Sequence, residues 1–439
     1  MARSCRPTAP EMCSASAITE LPRIEGGVAA RFITRWSLFL TCTAALISAS
    51  PSWANNGDQQ IAFSARSNAM AGAVIATPQD ATTGLTNPAG LAFLHLGEDD
   101  LRFDLSLSVL NPINTLNGVT SENNLFVLAT GAIALKSVFL ADNVTVGLGA
   151  YALSGGGVDY PAGTFSKYPG TDGPIVAVRQ SFRIGPSFAF KINDDLALGI
   201  TTHIAVGMFG IQAPVFKSPT DFNLGYVWGL GATYNLTPTI RLGATYNAQT
   251  RTQEFKFTTS KENVVAGCDP CALTPQQYNL DFEDPASAGI GISYTPTPKL
   301  QMEFDLKRIY YRDVRDKLAL IEQSSGDKVV LNLGWDDQDV YALGFNYKFS
   351  NRLEFMFGYN YGASPIVEED LGNNPGLAPI IEHHVTVGAG FRLNKRSELN
   401  FSYNRGIGAQ MIGVRTGTTE VENATFETNI ATLQFSYVY

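Results

Sequence analysis

The sequence predicts an all-β protein: a transmembrane antiparallel β-barrel of about 14 strands, with an N-terminal hatch plug in its lumen. Three observations predict this fold. Only 16% of the 439 residues are charged, whereas 45% are hydrophobic. Apolar and polar residues alternate with period two from Leu101 to the C-terminus, so the two faces of each strand meet different surroundings. Short turns alternate with long loops along the same region, as in bacterial outer-membrane barrels.

The composition argues against several classes of protein. A soluble domain carries roughly 25% charged residues, so the lower fraction here indicates a surface that need not be charged. The net charge of −9 argues against a nucleic-acid partner, which would require a basic patch. The sequence contains no Gly-x-x-x-x-Gly-Lys-Ser/Thr run that would bind a nucleotide. We therefore expect no cofactor, no metal and no energy-driven pumping.

Residues 1–54 are interpreted as an N-terminal extension followed by a cleaved signal peptide. Arg31 and Arg35 supply positive charge, residues 36–47 are apolar, and small residues precede Asn55 at the expected cleavage position. The apolar stretch is too short to span a membrane comfortably. Cleavage would remove five Arg and three Glu, which changes the net charge from −9 to −11.

The mature chain is expected to divide into two parts. Residues 55–97 are rich in Ala, Gly, Thr and Asn and do not alternate, so they cannot fold alone and could pack inside a barrel as a hatch on the periplasmic side. Residues 98–439 are expected to form the barrel. No stretch after Asn55 approaches the roughly 18 apolar residues of a membrane helix, so a membrane-spanning mature chain must be a closed barrel.

Each barrel strand is predicted from its own alternation. In residues 300–307, four apolar residues alternate with Gln301, Glu303, Asp305 and Lys307, so the two sets face opposite sides. The same pattern places strands at about 101–109, 124–135, 143–152, 178–191, 195–206, 224–235, 239–250, 285–295, 299–310, 339–349, 352–361, 383–393, 397–405 and 429–439. Long loops are expected at 110–123, 153–177, 207–223, 251–282, 311–338, 362–381 and 406–428. An even strand number puts both barrel ends on the periplasmic side.

The last strand carries a second signal. Leu433, Phe435, Tyr437 and Tyr439 share one face, and the chain ends on an aromatic residue. This resembles the terminal strand that the outer-membrane assembly machinery recognises, although Phe is the usual last residue. A lipid-facing strand with an aromatic belt would have the same pattern, and both interpretations can hold together.

The segment before the barrel contains Asn87-Pro88-Ala89, downstream of a small-residue run at 63–73. This resembles the hatch of the long-chain fatty acid transporter family (FadL/TodX-type outer-membrane hydrocarbon transporters), which contains an Asn-Pro-Ala motif. An aromatic residue often precedes the motif in the family, where this chain has Thr86. Residues 228–243 resemble a barrel hairpin of the family, and residues 154–160 resemble its Gly-rich segment after the third strand.

The resemblance implies a hatch-plugged barrel in the outer membrane of a Gram-negative bacterium. Its ligands would be fatty acids, alkanes or aromatics, and it would also meet outer-membrane lipid and lipopolysaccharide. The ligands would leave sideways through a gap at a kinked third strand. Gly147 and Gly149 on that strand, and Gly155, Gly156 and Gly157 after it, are candidates for the kink, because glycine in a strand often marks a bend. A flexible start to the following loop is the alternative.

Cys268 and Cys271 lie in the longest predicted loop. In an oxidising compartment they are expected to form a disulfide. A metal site would require four ligands, and no His lies nearby in the sequence.

Passive uptake of long-chain fatty acids or other small hydrophobic compounds, without an enzymatic step, is the leading functional hypothesis. A dry apolar pocket would lower the barrier to such molecules. The alternatives are a secretion-associated or scaffold barrel that binds protein partners, an outer-membrane lipase that needs a Ser–His pair at the rim, and a general porin. The predicted plug argues against a porin.

Overall fold

A computed structural model describes residues 56–97, 100–122, 125–136, 141–162, 164, 174–213, 216–258, 277–374, 378–414 and 421–439. The predicted signal peptide, Asn55 and both Cys268 and Cys271 lie outside these residues.

Fourteen long strands form the wall of the protein. They are β1 Leu101–Leu116, β2 Phe126–Lys136, β3 Val144–Tyr160, β4 Ile175–Lys191, β5 Leu196–Ala213, β6 Phe216–Thr237, β7 Ile240–Asn247, β8 Ser287–Thr297, β9 Leu300–Ile309, β10 Gln338–Lys348, β11 Leu353–Gly362, β12 His383–Arg392, β13 Ser397–Val414 and β14 Val421–Val438. Each pairs antiparallel with its neighbours in chain order, and β14 pairs with β1, which closes the barrel. The predicted fold class and strand number are confirmed.

The two faces of the wall have the polarity that the alternation predicts. In β9, Phe304 and Leu306 point outward and are exposed, whereas Glu303 and Asp305 point into the lumen and are buried. An outward apolar band of this kind matches the hydrocarbon of a membrane, in which a closed barrel satisfies every backbone hydrogen bond.

Several strands extend further than predicted on the side of the long loops. Residues 110–116 continue β1, residues 153–160 continue β3, and residues 406–414 continue β13. The predicted loops at 110–123, 153–177, 207–223 and 406–428 are therefore too long. In β3, for example, residues 153–158 are buried on both faces, and such a stretch shows no alternation although the backbone ladder continues.

The long loops carry additional structure at the outer end. Two-residue strands, Val119–Thr120 and Arg251–Thr252, pair with β1 and β6. A separate four-stranded sheet consists of Phe255–Thr258, Gln277–Leu280, Lys317–Glu322 and Lys328–Asn332. Helix α3, Arg312–Arg315, and a 3₁₀ helix, Glu368–Asn373, complete these loops.

The N-terminal segment, residues 56–97, contains α1 Ala65–Ala69, α2 Thr83–Thr86 and a 3₁₀ helix, Pro88–Phe93. Ser64 begins α1 with a capping box, in which its side chain accepts from Ser67 N and the Ser67 side chain accepts from Ser64 N. Pro88 occupies the first turn of the 3₁₀ helix, where its missing N–H costs nothing. None of the helices in the described ranges is long and apolar enough to cross a membrane.

Candidate functional site

The hatch, defined as residues 56–97, is held to the lumen wall by two carboxylates on β9. Asp305 accepts hydrogen bonds from the backbone N–H of Val74 at 2.7 Å and of Ile75 at 2.9 Å. Glu303 accepts from the next two amides, those of Ala76 at 2.7 Å and Thr77 at 3.0 Å. Four consecutive backbone amides of the hatch are thus bound by two side chains of one strand, so this turn of the hatch is fixed to the wall.

Helix α1 is anchored to β11–β14 by polar contacts. The buried Arg66 forms an ion pair with Glu354 and lies 4.0 Å from Glu398. Asn68 donates to Thr432 Oγ1 at 3.3 Å. Asp80, further along the hatch, accepts from Gln434 on β14 at 3.0 Å. The hatch is therefore tied to this side of the lumen through charged and amide groups.

The predicted motif Asn87-Pro88-Ala89 lies against β6. Asn87 is fully buried, and its Oδ1 accepts from Ala89 N at 3.2 Å. Its Nδ2 donates to the carbonyl oxygen of Ile75 at 2.7 Å and to that of Ala232 at 3.1 Å. One side chain thus caps the 3₁₀ helix, holds the preceding turn of the hatch and joins the hatch to the wall.

Glycines in the wall make room for the motif. A Cβ at Gly231 on β6 would overlap Asn87 Oδ1, and a Cβ at Gly199 on β5 would overlap the backbone of Pro88 and Ala89. Gly within a strand commonly marks a close approach of another backbone. Gly199 and Gly231 were not predicted as partners of the motif, although a glycine within a strand could have indicated a close contact of this kind.

A cavity of about 80 Å³ lies between the hatch and the wall. The hatch contributes mainly apolar side chains, including Ile61, Phe63, Ile75 and Leu85. Two cationic residues of the wall, Arg183 on β4 and Lys307 on β9, also line it. The lining is therefore mixed: the hatch side combines these apolar side chains with Gln59 and Gln60, and the wall side places the carboxylate of Asp305 beside the two cations.

The first residues of the hatch lie against β3. Gln60 N donates to the carbonyl oxygen of Leu153 at 3.2 Å, and Gln60 Nε2 donates to that of Ala152 at 2.9 Å. The register of β3 with β4 shifts between Ala152 and Ser154, which leaves Leu153 as the extra residue of a bulge. The hatch therefore contacts β3 where this strand is irregular.

Only the lower part of β3 pairs with β2. Their ladder runs from Lys136↔Thr145 to Gly131↔Ala150, whereas β3 pairs with β4 as far as Tyr160. Residues 149–158 are buried at every position, so neither face is lipid-exposed there. Ala152 packs in a cluster with lumen-side residues of β1 and β2, namely Leu110, Phe126 and Leu128. The upper half of β3 thus lies inside the line of the wall.

The predicted glycines occupy two different settings. A Cβ at Gly147 would meet Leu91 of the hatch, and the ring of Tyr151 covers Gly149, so these two residues make room for side chains within the paired part of β3. Residues 155–157 belong to β3 and pair with residues 178–180 of β4. They lie within the strand, contrary to the prediction that they follow it, because β3 continues above the membrane.

A buried charge cluster holds the start of the hatch near the outer loops. Asp58 lies 3.1 Å from Arg179 and 3.2 Å from Arg315, and Arg179 also forms an ion pair with Asp284. Burial alone would raise the pKa of Asp284, but Arg179 and Arg183 outweigh it and lower this pKa to about 2. Asp284 is therefore ionised at neutral pH.

Apolar side chains from the loops and from the outer end of β5 close the outer end above this cluster. Phe209, Phe255 and Phe282 pack together with Tyr311 and Trp335 in one buried group. The Tyr311 hydroxyl donates to Asn56 O at 2.5 Å, which joins the group to the hatch. A water-filled pore is therefore not open along this part of the lumen.

The chemistry of the described residues offers little for a metal or a nucleophile. No group of three or more His, Cys, Asp or Glu able to hold a metal occurs among them. Ser187 and His203 approach to 3.5 Å, but both are buried in the lumen, and the Ser187 hydroxyl donates to Gly84 O of the hatch at 2.8 Å. This pair is away from the rim, where the lipase hypothesis requires it.

A family model described as outer membrane protein transport protein (OMPP1/FadL/TodX) matches residues 44–438. The crystal structure of the toluene transporter TodX of P. putida is similar, with a TM-score of 0.70 and 20% identity over 86% of this chain and 98% of that one. No curated protein matches.

Two further crystal structures have the same fold. The toluene transporter TbuX of Ralstonia pickettii gives a TM-score of 0.69 at 17% identity, over 86% of this chain and 98% of that one. A FadL homologue of Pseudomonas aeruginosa gives 0.71 at 15% identity with the same coverage.

Proposed function

Because the chain belongs to the outer membrane protein transport family (OMPP1/FadL/TodX), we propose that it takes up small hydrophobic compounds that carry an acidic group, such as long-chain fatty acids, by passive diffusion. The family and the similar structures are transport channels, and the barrel is an outer-membrane protein.

The observation that carries the proposal is the pair of cations, Arg183 and Lys307, which line the cavity beside apolar side chains of the hatch. Arg183 donates from Nη2 to Thr250 at 3.2 Å and lies 3.9 Å from Asp284. Its buried Nε has no hydrogen-bond partner among the described residues. A buried donor without an acceptor is costly, and a ligand carboxylate would supply the missing acceptor. Lys307 lines the same cavity and adds a second positive charge.

The size of the cavity supports coupling between binding and hatch movement. A dry cavity of roughly 150 Å³ holds a benzene molecule, and this one measures about 80 Å³. An alkyl chain would therefore have to displace hatch side chains, among which Ile61 and Phe63 are neighbours of Gln60. Their displacement would loosen the contact of Gln60 with β3.

The irregular strand β3 supports a lateral exit. Its upper half lacks a ladder with β2, and apolar residues surround Ala152 there. A hydrophobic molecule can follow apolar surface from the cavity to this gap without entering water, which keeps the barrier low. Residues 155–157, beside the gap, are proposed to give β3 the freedom to bend.

A second candidate function is uptake of neutral monoaromatic hydrocarbons. It is favoured by the structural similarity to the toluene transporters TodX and TbuX. A neutral ring would use the apolar side of the cavity but would not need Arg183 or Lys307. The two candidates therefore predict different roles for these cations.

Calorimetric titration of the purified mature protein with dodecanoate, dodecanol and toluene tests the proposal. The double variant Arg183→Gln/Lys307→Gln is expected to bind dodecanoate about tenfold more weakly per lost charge-assisted bond, with dodecanol affinity little changed. Its matched control is Arg312→Gln/Lys317→Gln, which removes two exposed cations in a loop. Equal binding of dodecanoate by all three proteins, together with tight toluene binding, would favour the second candidate.

Solute flux separates a plugged transporter from a general porin. Liposomes that contain the protein are expected to exclude glucose-sized solutes, because hatch and loop residues fill the lumen. Free glucose flux through the wild-type protein would contradict the plugged-channel proposal, and co-purification of a protein partner with an empty barrel would favour the secretion or scaffold alternative.

A further inference from the structure

Arg179 on β4 joins three separate parts of the protein. Its Nη1 lies 3.1 Å from Asp58 at the start of the hatch and donates to Ser154 Oγ at 2.6 Å. Ser154 follows the bulge at Leu153 in β3. The third partner, Asp284, lies in the connection between β7 and β8 and forms an ion pair with Arg179 Nη2. One buried guanidinium group therefore contacts the hatch, the irregular strand β3 and an outer loop.

Asp284 is shared between two arginines of β4. Its Oδ1 pairs with Arg179, whereas its Oδ2 lies 3.9 Å from Arg183 Nη2. Thr250 lies between the second pair, because it accepts from Arg183 at 3.2 Å and donates to Asp284 at 3.4 Å. Since Arg183 lines the cavity, a chain of charged groups runs from the cavity through Asp284 and Arg179 to the hatch.

This chain of charged groups contains one more cation than anions. Three arginines and two aspartates form it, namely Arg179, Arg183, Arg315, Asp58 and Asp284. Guanidinium groups stay protonated in proteins, and an aspartate beside two of them is held in its charged form. Arg179 and Arg315 lie 3.1 and 3.2 Å from Asp58, whereas Arg183 comes no closer than 3.9 Å to a carboxylate in the described part of the chain. The excess positive charge is therefore concentrated at the cavity.

A ligand carboxylate at Arg183 would redistribute these contacts. It would take over Arg183 and leave Asp284 to pair with Arg179 alone, so that Arg179 would move towards Asp284 and away from Asp58. The negative charge of the ligand would also repel Asp58, so both effects weaken the same contact. A neutral ligand in the cavity would cause neither effect.

The weakened contact restrains the hatch beside β3. Gln59 and Ser154 form an isolated β-bridge, and Gln60 binds β3 at the bulge. An alkyl chain that displaces apolar hatch side chains would loosen the Gln60 contact, but Asp58 would remain bound to Arg179. A ligand shifts an equilibrium only by as much as its affinities for the two states differ. Here the two states differ in the repulsion between the ligand and Asp58, which falls when the hatch moves.

We propose that Arg179 is a positioning residue that makes opening of the hatch selective for anionic ligands. Its contacts with Asp58 and Ser154 hold the hatch against β3, and a carboxylate at Arg183 releases them through Asp284. The charge of the ligand is therefore read twice, when the ligand binds and when the hatch opens. This inference rests on the proposed function, because it takes the ligand carboxylate to lie at Arg183.

Hydrogen exchange of a peptide covering residues 56–62, followed by mass spectrometry of the full mature protein, tests the inference. Dodecanoate and dodecanol have alkyl chains of nearly the same length, so the displacement of apolar hatch side chains is common to both and cancels in their comparison. With either ligand at saturation, we expect exchange to be about tenfold faster with dodecanoate than with dodecanol. One hydrogen bond to a charged group changes an equilibrium by about this factor.

The variant Asp284→Asn keeps the shape of the side chain and removes the charge that links Arg183 to Arg179. It is expected to bind dodecanoate in calorimetry but to exchange equally fast with both ligands. A purely structural role of Asp284 would change exchange with both ligands alike and would leave their difference intact. The matched control, Asp339→Asn, removes a carboxylate that lies 3.5 Å from Arg308 at the outer rim, and it should behave like the wild type.

A second variant, Asp58→Asn, tests the other end of the chain of charged groups if Asp284→Asn does not fold. Its peptide should exchange fast without ligand and show no difference between the two ligands. A difference that persists in either variant would overturn the role of these charges. Equal exchange of the wild type with bound dodecanoate and bound dodecanol would overturn the inference and leave the proposed function in place. Absence of dodecanoate binding to the wild type in calorimetry would overturn the proposed function, and this inference with it.

Discussion

The substitution Asn87→Asp tests whether the hatch motif fixes the hatch to the wall. Aspartate has nearly the same shape as asparagine and keeps the Oδ1 acceptor that caps Ala89 N. The change replaces the Nδ2 donor, which serves the carbonyl oxygens of Ile75 and Ala232, by an oxygen atom. Both carbonyls would then face an acceptor in a position that is fully buried.

The expected cost follows from these two hydrogen bonds. A buried acceptor that loses its donor costs about 1–3 kcal/mol, and a protonated aspartate could serve at most one of the two carbonyls. We therefore expect local opening of the hatch to become easier by about 2–4 kcal/mol, which is roughly a 30- to 1,000-fold rise in the opened population. The barrel ladder is untouched, so the barrel should remain folded.

Hydrogen exchange followed by mass spectrometry measures this opening directly, because exchange of a protected amide reports the free energy of local unfolding. Peptides from residues 83–97 of Asn87→Asp should exchange faster than those of the wild type, while barrel peptides should not change. The matched control is Asn143→Asp, the same chemical change in an exposed turn, where water can replace the lost contact to Lys191 O. Unchanged hatch exchange in Asn87→Asp, or the same acceleration in the control, would refute the reasoning.

Three further predictions address the exit, the buried charges and the cysteines. Ala152→Phe should fill the apolar region between β2 and β3 and reduce dodecanoate uptake by cells, whereas Ala129→Phe, on the lipid-facing side of β2, should not; normal uptake by both variants would argue against a lateral exit. The pKa of Asp284 is lowered to about 2, so its ionised form stabilises the folded state by about 2 kcal/mol. This stabilisation is complete above the unfolded pKa near 4 and is lost as the pH falls towards 2. The melting temperature should therefore drop in this range for the wild type and less for Asp284→Asn, and parallel curves would contradict the role of this carboxylate. Alkylation of the denatured mature protein should modify Cys268 and Cys271 only after reduction, and modification without reductant would show that they are not paired.

The barrel could be predicted from sequence because membrane strands are constrained on both faces. In β9, Phe304 must meet lipid and Glu303 must face the lumen, so apolar and polar residues alternate with period two in the sequence. The outer ends of some strands could not be predicted in this way, because their two faces do not meet different surroundings. Residues 153–158 of β3 are buried on both sides, so their sequence shows no alternation.

The hatch site could be predicted only in part. The motif located residues 87–89, but their partners Gly199 and Gly231 lie more than a hundred residues away, and no local pattern joins a strand glycine to the residue that it accommodates. The polar face of β9 could also be predicted, from the alternation in residues 300–307. The groups that Glu303 and Asp305 bind are backbone amides, and every residue except proline offers one, so the sequence carries no sign of that contact.

The distribution of polar contacts in the lumen indicates how the hatch can move. Towards β9 and β11–β14 the hatch is held by directional hydrogen bonds and the Arg66 ion pair, which are lost after a small shift. Towards β2 and the lower part of β3 it makes apolar contacts, with Leu91 packed in one cluster with Ala132 and Ala134, and such contacts tolerate sliding because hydrophobic attraction has no direction. The polar tie to the upper part of β3, Gln60, lies at the bulge itself. We therefore expect a ligand that loosens the Gln60 contact to shift the part of the hatch that faces β2 and β3 more easily than the parts held by Asp58, Arg66 and Asn87, and so to open the lumen towards the incomplete β2–β3 ladder.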